Sequence, residues 1–213
     1  MNQALTNALR TAATLIVFTA IGTGLLAYTF DITKDNIAQS EAQAKRELIE
    51  QALPKQLYDN DVVHDVVQLA PTSELGTTQP ANAYRARLGD EPAALVLEAI
   101  APDGYSGKIK LLIAIQANGE IAGVRVVAHN ETPGLGDYID SAKSAWIKQF
   151  DHAALGPDEA AWKVKKDGGR FDYVSGATIT PRAVVKAVHK TLRYYEQHGQ
   201  EIFMRPAMPQ EQP

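Results

Sequence analysis

Lys108-Ile-Lys-Leu-Leu-Ile-Ala-Ile-Gln116, then Ala117-Asn118-Gly119-Glu120, then Ile121-Ala-Gly-Val-Arg-Val-Val-Ala128, reads as a hairpin. Both long runs are rich in aliphatic and β-branched residues, which suit a pleated, half-buried surface. Asn118-Gly119 between them favours the positive φ of a tight hairpin turn. Working outward to the N-terminal side, Tyr84 to Leu88 and Ala93 to Ile100 have the same strand character. Turns are expected at Gly89-Asp90 and Pro102-Asp103-Gly104. On the C-terminal side, Asp137 is expected to cap a helix with Ile139, Ala142, Trp146 and Phe150 on one face. Trp162 to Lys166 reads as a further short strand. A last helix follows Thr180 as N-cap and Pro181 at its first position, with Val184, Val188, Leu192 and Tyr195 as its apolar stripe. Consecutive strands, then helix, strand and helix, predict an α+β fold: an antiparallel sheet with packed helices.

The stretch before the final helix, Asp172-Tyr-Val-Ser175-Gly176-Ala177-Thr178-Ile-Thr180-Pro181, carries the chemistry. Thr178 lies in a small-residue loop just ahead of a helix N-terminus, where free N–H groups and the positive end of the helix dipole favour a phosphate. Gly176 and Ala177 let a bulky group approach the backbone closely. A plain glycine turn ahead of a capped helix has the same spacing. Ser175 is not a hydrolase nucleophile of the Gly-x-Ser-x-Gly kind, because position 173 is Tyr173.

The N-terminal region has a different character. Thr11 to Phe30 contains no charged residue, and a helix of that length spans roughly 30 Å, the thickness of a bilayer core. It is longer than a signal-peptide core and lacks a good Ala-x-Ala site, so it reads as an uncleaved single transmembrane helix. Arg10 precedes it and Asp31 follows it. The positive-inside rule then puts residues 1–10 in the cytoplasm and everything after Phe30 outside. Thr33 to Leu53 reads as a helix ended by Pro54, with Thr33 as N-cap and a weak stripe of Ile37, Ala44, Leu48 and Ala52. It serves as a stalk or packs on the domain. The expected organisation is an anchor at 11–30, a stalk and loop at 31–80, a folded domain at 81–200 and a tail at 201–213 that is extended or disordered.

Composition narrows the chemistry. The chain has 213 residues, 45% of them hydrophobic, enough for one core and an appendage. A net charge of −4 argues against a nucleic-acid partner. The absence of cysteine excludes disulfides, thiol chemistry and cysteine-ligated iron–sulfur or haem centres. The five histidines have no metal-site spacing, and no Gly-x-Gly-x-x-Gly strand-to-helix unit would hold a dinucleotide. A chain of this kind that handles electrons needs an organic cofactor.

The order Asp172-x-x-Ser175-Gly176-Ala177-Thr178 resembles the flavin-attachment motif of the FMN-binding domain family. That domain is shared by the Rnf complex G subunit and the C subunit of the sodium-pumping NADH:quinone reductase. Gly104-Tyr105-Ser106-Gly107 and Glu131-Thr132-Pro133-Gly134-Leu135-Gly136 resemble two further signatures of the family, in the same order. The chain length is nearer that of the Rnf protein. The resemblance implies FMN esterified through its phosphate to Thr178, with Ser175, Gly176, Ala177 and Asp172 in the attachment loop. It also implies a ring environment made by Glu131, Thr132, Leu135 and Gly136. Lys143, two turns into the expected Asp137 helix, is a candidate partner for the phosphate or a ring carbonyl. Tyr105 is a candidate for ring stacking, and His129 a weaker candidate for a flavin contact. By the same resemblance the chain is a membrane-anchored electron carrier of a bacterial inner-membrane complex. Its partners are the other membrane and peripheral subunits of an Rnf-type complex, which moves electrons between NADH and ferredoxin coupled to ion movement. The alternatives are the quinone-reductase protein, and an anchored envelope module that binds a phosphorylated ligand non-covalently.

Overall fold

The computed structural model describes residues 2–208. The chain divides into two compact units between Ala44 and Lys45. Helix α1 (Asn2–Ala52) begins the chain, and its stretch Gln3–Ile37 is long and apolar enough to cross a membrane. The side chains of Leu15, Ile16, Phe18, Ile21, Leu25 and Leu26 are all exposed along it. No second helix starts at Thr33. Its hydroxyl donates back to the Thr29 carbonyl at 2.7 Å, a bond made inside a continuous helix, not at a cap. α1 ends at Ala52, two residues before Pro54, as expected from the restriction proline places on its predecessor.

The second unit is built on a five-stranded sheet: β1 (Val66–Leu69), β2 (Ala81–Leu88), β3 (Glu91–Gly104), β4 (Gly107–Gln116) and β5 (Ile121–Ala128). Every neighbouring pair is antiparallel and the order along the sheet is the order along the chain. The fold is therefore α+β, as the strand sequence predicts. The period-2 alternation sends the residues of each central strand to opposite faces. Ile109, Leu111, Ile113 and Ile115 join Leu95 and Leu97 beneath helix α2 (Ile179–Met204) and the segment that precedes it. Leu112, Ala114, Ala94 and Val96 face the other way, against Ile49, Ala52 and Leu53. Both faces are covered, which is why the centres of these strands are almost continuously apolar. On the second face a Cβ at Gly123 would lie 2.5 Å from the Ala52 carbonyl oxygen, so β5 passes the end of α1 only with glycine there.

Several expectations are corrected here. The folded unit begins at Lys45, not Ala81: the last turns of α1 belong to its core, and Val66–Leu69 adds an edge strand beyond β2. β3 runs on through Pro102 and Asp103 to Gly104, so the turn lies at Tyr105-Ser106. No α-helix follows Asp137. Two 3-10 turns, Asp137–Ile139 and Trp146–Phe150, stand in its place. The Ser144 hydroxyl donates to the Tyr138 carbonyl and the Asp140 carboxylate takes the Ala142 N–H, bonds that break a helix there. Trp162 to Lys166 contributes only an isolated bridge, Val164 to Phe171. The tail is ordered as far as it is described: α2 continues to Met204, and the Met208 N–H bonds the Val66 carbonyl at 2.9 Å. Residues 209–213 of the expected tail lie outside the described residues.

A buried guanidinium holds the end of α2. Arg85 donates to the carbonyls of Ile202 at 3.3 Å, Phe203 at 3.1 Å and Arg205, and pairs with Asp65. These bonds satisfy carbonyls that a helix C-terminus leaves without partners.

Candidate functional site

The three motif blocks meet at one buried carboxylate. Glu131, in the loop after β5, is 4% exposed. Its Oε1 accepts the Ser106 N–H from the β3–β4 turn at 3.0 Å, and its Oε2 accepts the hydroxyl of Thr180 in the first turn of α2. Its own N–H donates to His129 Nδ1 at 3.1 Å. The two flanking glycines are needed for the fit. A Cβ on Gly104 would stand 2.2 Å from the Gly107 carbonyl oxygen and 2.8 Å from Oε1, and one on Gly136 would stand 2.9 Å from both Oε2 and the Thr180 hydroxyl. Thr180 is therefore not the N-cap. The helix starts two residues earlier than expected, Thr178 occupies the capping position, and Pro181 sits at the third helical residue, where its missing N–H still costs no bond.

Thr178 is 9% exposed and its side chain makes no capping hydrogen bond. The loop that delivers it is held from behind. Trp146 Nε1 donates to the Asp172 carbonyl at 2.7 Å, and the Asp172 N–H donates to Gln149 Oε1 at 2.7 Å. The Tyr138 hydroxyl lies 3.4 Å from both the Val174 N–H and the Ala177 carbonyl, bridging the two ends of the Val174–Ala177 turn. Burial pushes the Tyr138 phenol above its usual value, outweighing the Val174 N–H that favours ionisation, so it remains neutral. Gly176 has φ +89° and Gly134 φ +76°, and a Cβ built on either meets nothing within 4 Å. Both glycines present bare backbone to open space.

Around this backbone the surface is apolar and open. Leu135 is 51% exposed, and Tyr105, Val174 and Ile179 are exposed as well. Ser175 and Thr132 are also exposed. The region thus offers exposed apolar side chains beside bare glycine backbone, with the buried Thr178 at the start of α2. Lys143 lies on the segment that leads from this loop to the second 3-10 turn. It is exposed between the two 3-10 turns, with its N–H on the Asp140 carbonyl. The exposed Asp172 carboxylate pairs with Lys165 at 2.5 Å. Sequence reasoning missed Ser106, Tyr138, Trp146 and Gln149 as parts of the site. The Gly104–Gly107 block carried the signal for the first. The other three gave none that separated them from core or surface residues.

Two family profiles and several curated relatives match the chain. The profile of the FMN-binding domain family matches residues 104–193, which contain all three blocks, and that of the RnfG N-terminal region matches residues 1–52, the span of α1. The chain is 47% identical over 195 residues to the G subunit of the ion-translocating oxidoreductase complex from Pseudomonas aeruginosa, covering 91% of each chain. It is 46% identical to the protein of the same name from Shewanella baltica, covering 90% of this chain and 91% of that one. The protein of that name from Vibrio cholerae is 45% identical, with 90% and 92% covered. With its apolar N-terminal helix, this is a membrane-anchored protein with an FMN-binding domain. Similarity at this level over nine-tenths of each chain means that the chain belongs to the family of G subunits of ion-translocating oxidoreductase complexes.

Proposed function

We propose that this protein carries electrons through an FMN joined by its phosphate to Thr178, as a subunit of an Rnf-type ion-translocating NADH:ferredoxin oxidoreductase. The observation that carries the reading is the assembly around Thr178: a threonine at a helix start with no capping bond, beside two open glycine turns and an exposed apolar surface. FMN supplies reversible uptake of one or two electrons. The chain's own residues hold it. Leu135, Ile179 and Val174 supply apolar contact, and the Gly134 and Gly176 turns supply backbone groups. A surface this open retains a small ligand poorly, and a covalent bond removes the dissociation equilibrium. A separate transferase supplies the flavin as an activated phosphate ester. The Thr178 oxygen bonds to phosphorus, the donor's P–O bond breaks with its electron pair on the departing group, and the hydroxyl proton is released.

We further propose that the anchor crosses the bacterial inner membrane with its N-terminus in the cytoplasm, so that the flavin domain lies in the periplasm. The other membrane and peripheral subunits are its partners. The test is intact-mass and peptide analysis of protein made beside a flavin transferase. The wild type should carry the mass of FMN on the Thr178 peptide. Thr178→Ala should be folded and colourless. Flavin still covalently held in Thr178→Ala would overturn the assignment and direct attention to Ser175 and Thr180.

A further inference from the structure

We infer that Glu131 is the positioning residue of the attachment site: by gripping Ser106 and Thr180 together it holds the first turn of α2, and so the Thr178 hydroxyl, in the arrangement that accepts the flavin. The inference rests on the reading that Thr178 bears the flavin. It concerns the grip of the carboxylate on the protein itself, each oxygen accepting one protein donor.

The geometry is specific to a carboxylate. The two donors approach different oxygens from segments that are otherwise separate, the β3–β4 turn and the start of α2. A carboxylate accepts at both oxygens, whereas an amide accepts at one only. Among the described residues no cationic side chain forms an ion pair with Glu131, so its side-chain ties are the two hydrogen bonds, made beside the N-terminus of α2. Thr180 is 1% exposed, so its hydroxyl has no solvent alternative. If the grip fails, the first turn of α2 loses its side-chain tie to the Glu131 loop, and Thr178, two residues away, moves with it. A nucleophile displaced by about 1 Å reacts far more slowly.

The experiment uses the full-length chain and four variants. Thr180→Val removes the hydroxyl at nearly constant shape, and Thr180→Ser restores it. Glu131→Ala removes the carboxylate. Thr191→Val is the control: Thr191 is fully buried in the same helix and its hydroxyl bonds the Ala187 carbonyl, within that helix. Three quantities are measured: the initial rate of flavin incorporation at Thr178, the melting temperature, and hydrogen exchange of the Ser106, Ile179, Thr180 and Arg182 amides in flavin-free protein. Thr180→Val and Glu131→Ala should slow incorporation by roughly tenfold or more. Both should also raise exchange at Ser106, because each loosens the carboxylate that holds its N–H. Thr180→Ser should recover the wild-type rate. Thr191→Val should lower the melting temperature without slowing incorporation.

A wild-type rate in folded Thr180→Val would overturn the inference, as would an equal slowing in Thr191→Val at the same loss of melting temperature. If Glu131→Ala does not fold, the Thr180 pair decides alone. Wild-type protein that never acquires flavin at Thr178 would sink the functional reading instead. The exchange measurement then still decides the grip, since unchanged Ser106 protection in Thr180→Val would refute it.

Discussion

The indole N–H of Trp146 donates to the carbonyl of Asp172 at 2.7 Å, so the loop that leads to Thr178 is tied to the aromatic core of the domain. Trp146 also stands edge-on to Tyr138 and Phe150, at 5.5 and 5.6 Å between ring centroids. Trp146→Phe keeps an aromatic ring there and removes the donor. The expected loss is about 0.5–1.5 kcal/mol of stability, the net worth of one hydrogen bond. Flavin incorporation should slow without being abolished, because Gln149 still holds the Asp172 N–H. Urea unfolding and timed mass spectrometry check both outcomes. An unchanged rate in the variant would mean that the loop is fixed without the indole.

Two neighbouring glycines should separate two roles. Gly134 has φ +76° and free space around it, so Gly134→Val strains the backbone without a clash. On the reading that this turn borders the ring, the flavin should remain attached while its absorbance and midpoint potential shift. Gly136 has φ −92°, and its obstacle is the Glu131–Thr180 pair. Gly136→Ala should therefore impair attachment itself. Redox titration and mass analysis of the two variants decide this, and unchanged spectra in Gly134→Val would place the turn away from the ring.

Topology is testable by fusion. A reporter joined after Met208 leaves α2 and the Met208–Val66 bond intact. A reporter active only in the periplasm should work there, and one active only in the cytoplasm should not. The opposite result would reverse the orientation drawn from Arg10 and the uncharged run after it.

Stability should depend on pH through Glu98. Burial pushes its carboxyl up, but the Asn82 N–H, the Lys45 ammonium and the Tyr84 hydroxyl outweigh burial and leave it below the ordinary value. Burial, joined by the nearby Glu98 charge, pushes Tyr84 up to about 12. A carboxyl depressed by folding stabilises the fold above its unfolded value of 4.5. That contribution is lost as pH falls through the folded value. Glu98→Gln should lower stability at neutral pH, and the gap to wild type should close as the pH falls through the folded value. Unfolding midpoints from about pH 7 to about pH 3 measure it. A gap that stays constant across that range would remove Glu98 from the linkage.

Strands β2 to β5 were legible because period-2 patterning and Asn118-Gly119 are local signals. β1 was not: Val66–Leu69 is four residues long and is set by pairing with β2, a long-range event. Ile139, Ala142, Trp146 and Phe150 have helical spacing, yet the Ser144 and Asp140 side chains redirect the backbone between them, and spacing alone does not reveal that competition. Thr33 and Thr180 are both residue types that cap helices. In one the helix simply continues, and in the other a buried carboxylate takes the hydroxyl. The types of residue at the site were readable from the motifs. Their grouping was not, because Glu131 reaches partners 25 and 49 positions away in the chain.

The sheet pairs each strand with the one just made, so a chain emerging from its N-terminus can assemble β1 through β5 by successive local steps, at low cost in loop closure. The grip on Ser106 and Thr180 has no such freedom. It closes only when α2, the last element, docks. On the proposed reading, the threonine that takes the flavin comes into register at the end of folding, and a transferase that reads the assembled surface marks finished molecules only. On that account the yellow fraction of a preparation measures its folding yield, and a colourless fraction made beside ample transferase is a record of chains that stopped one helix short.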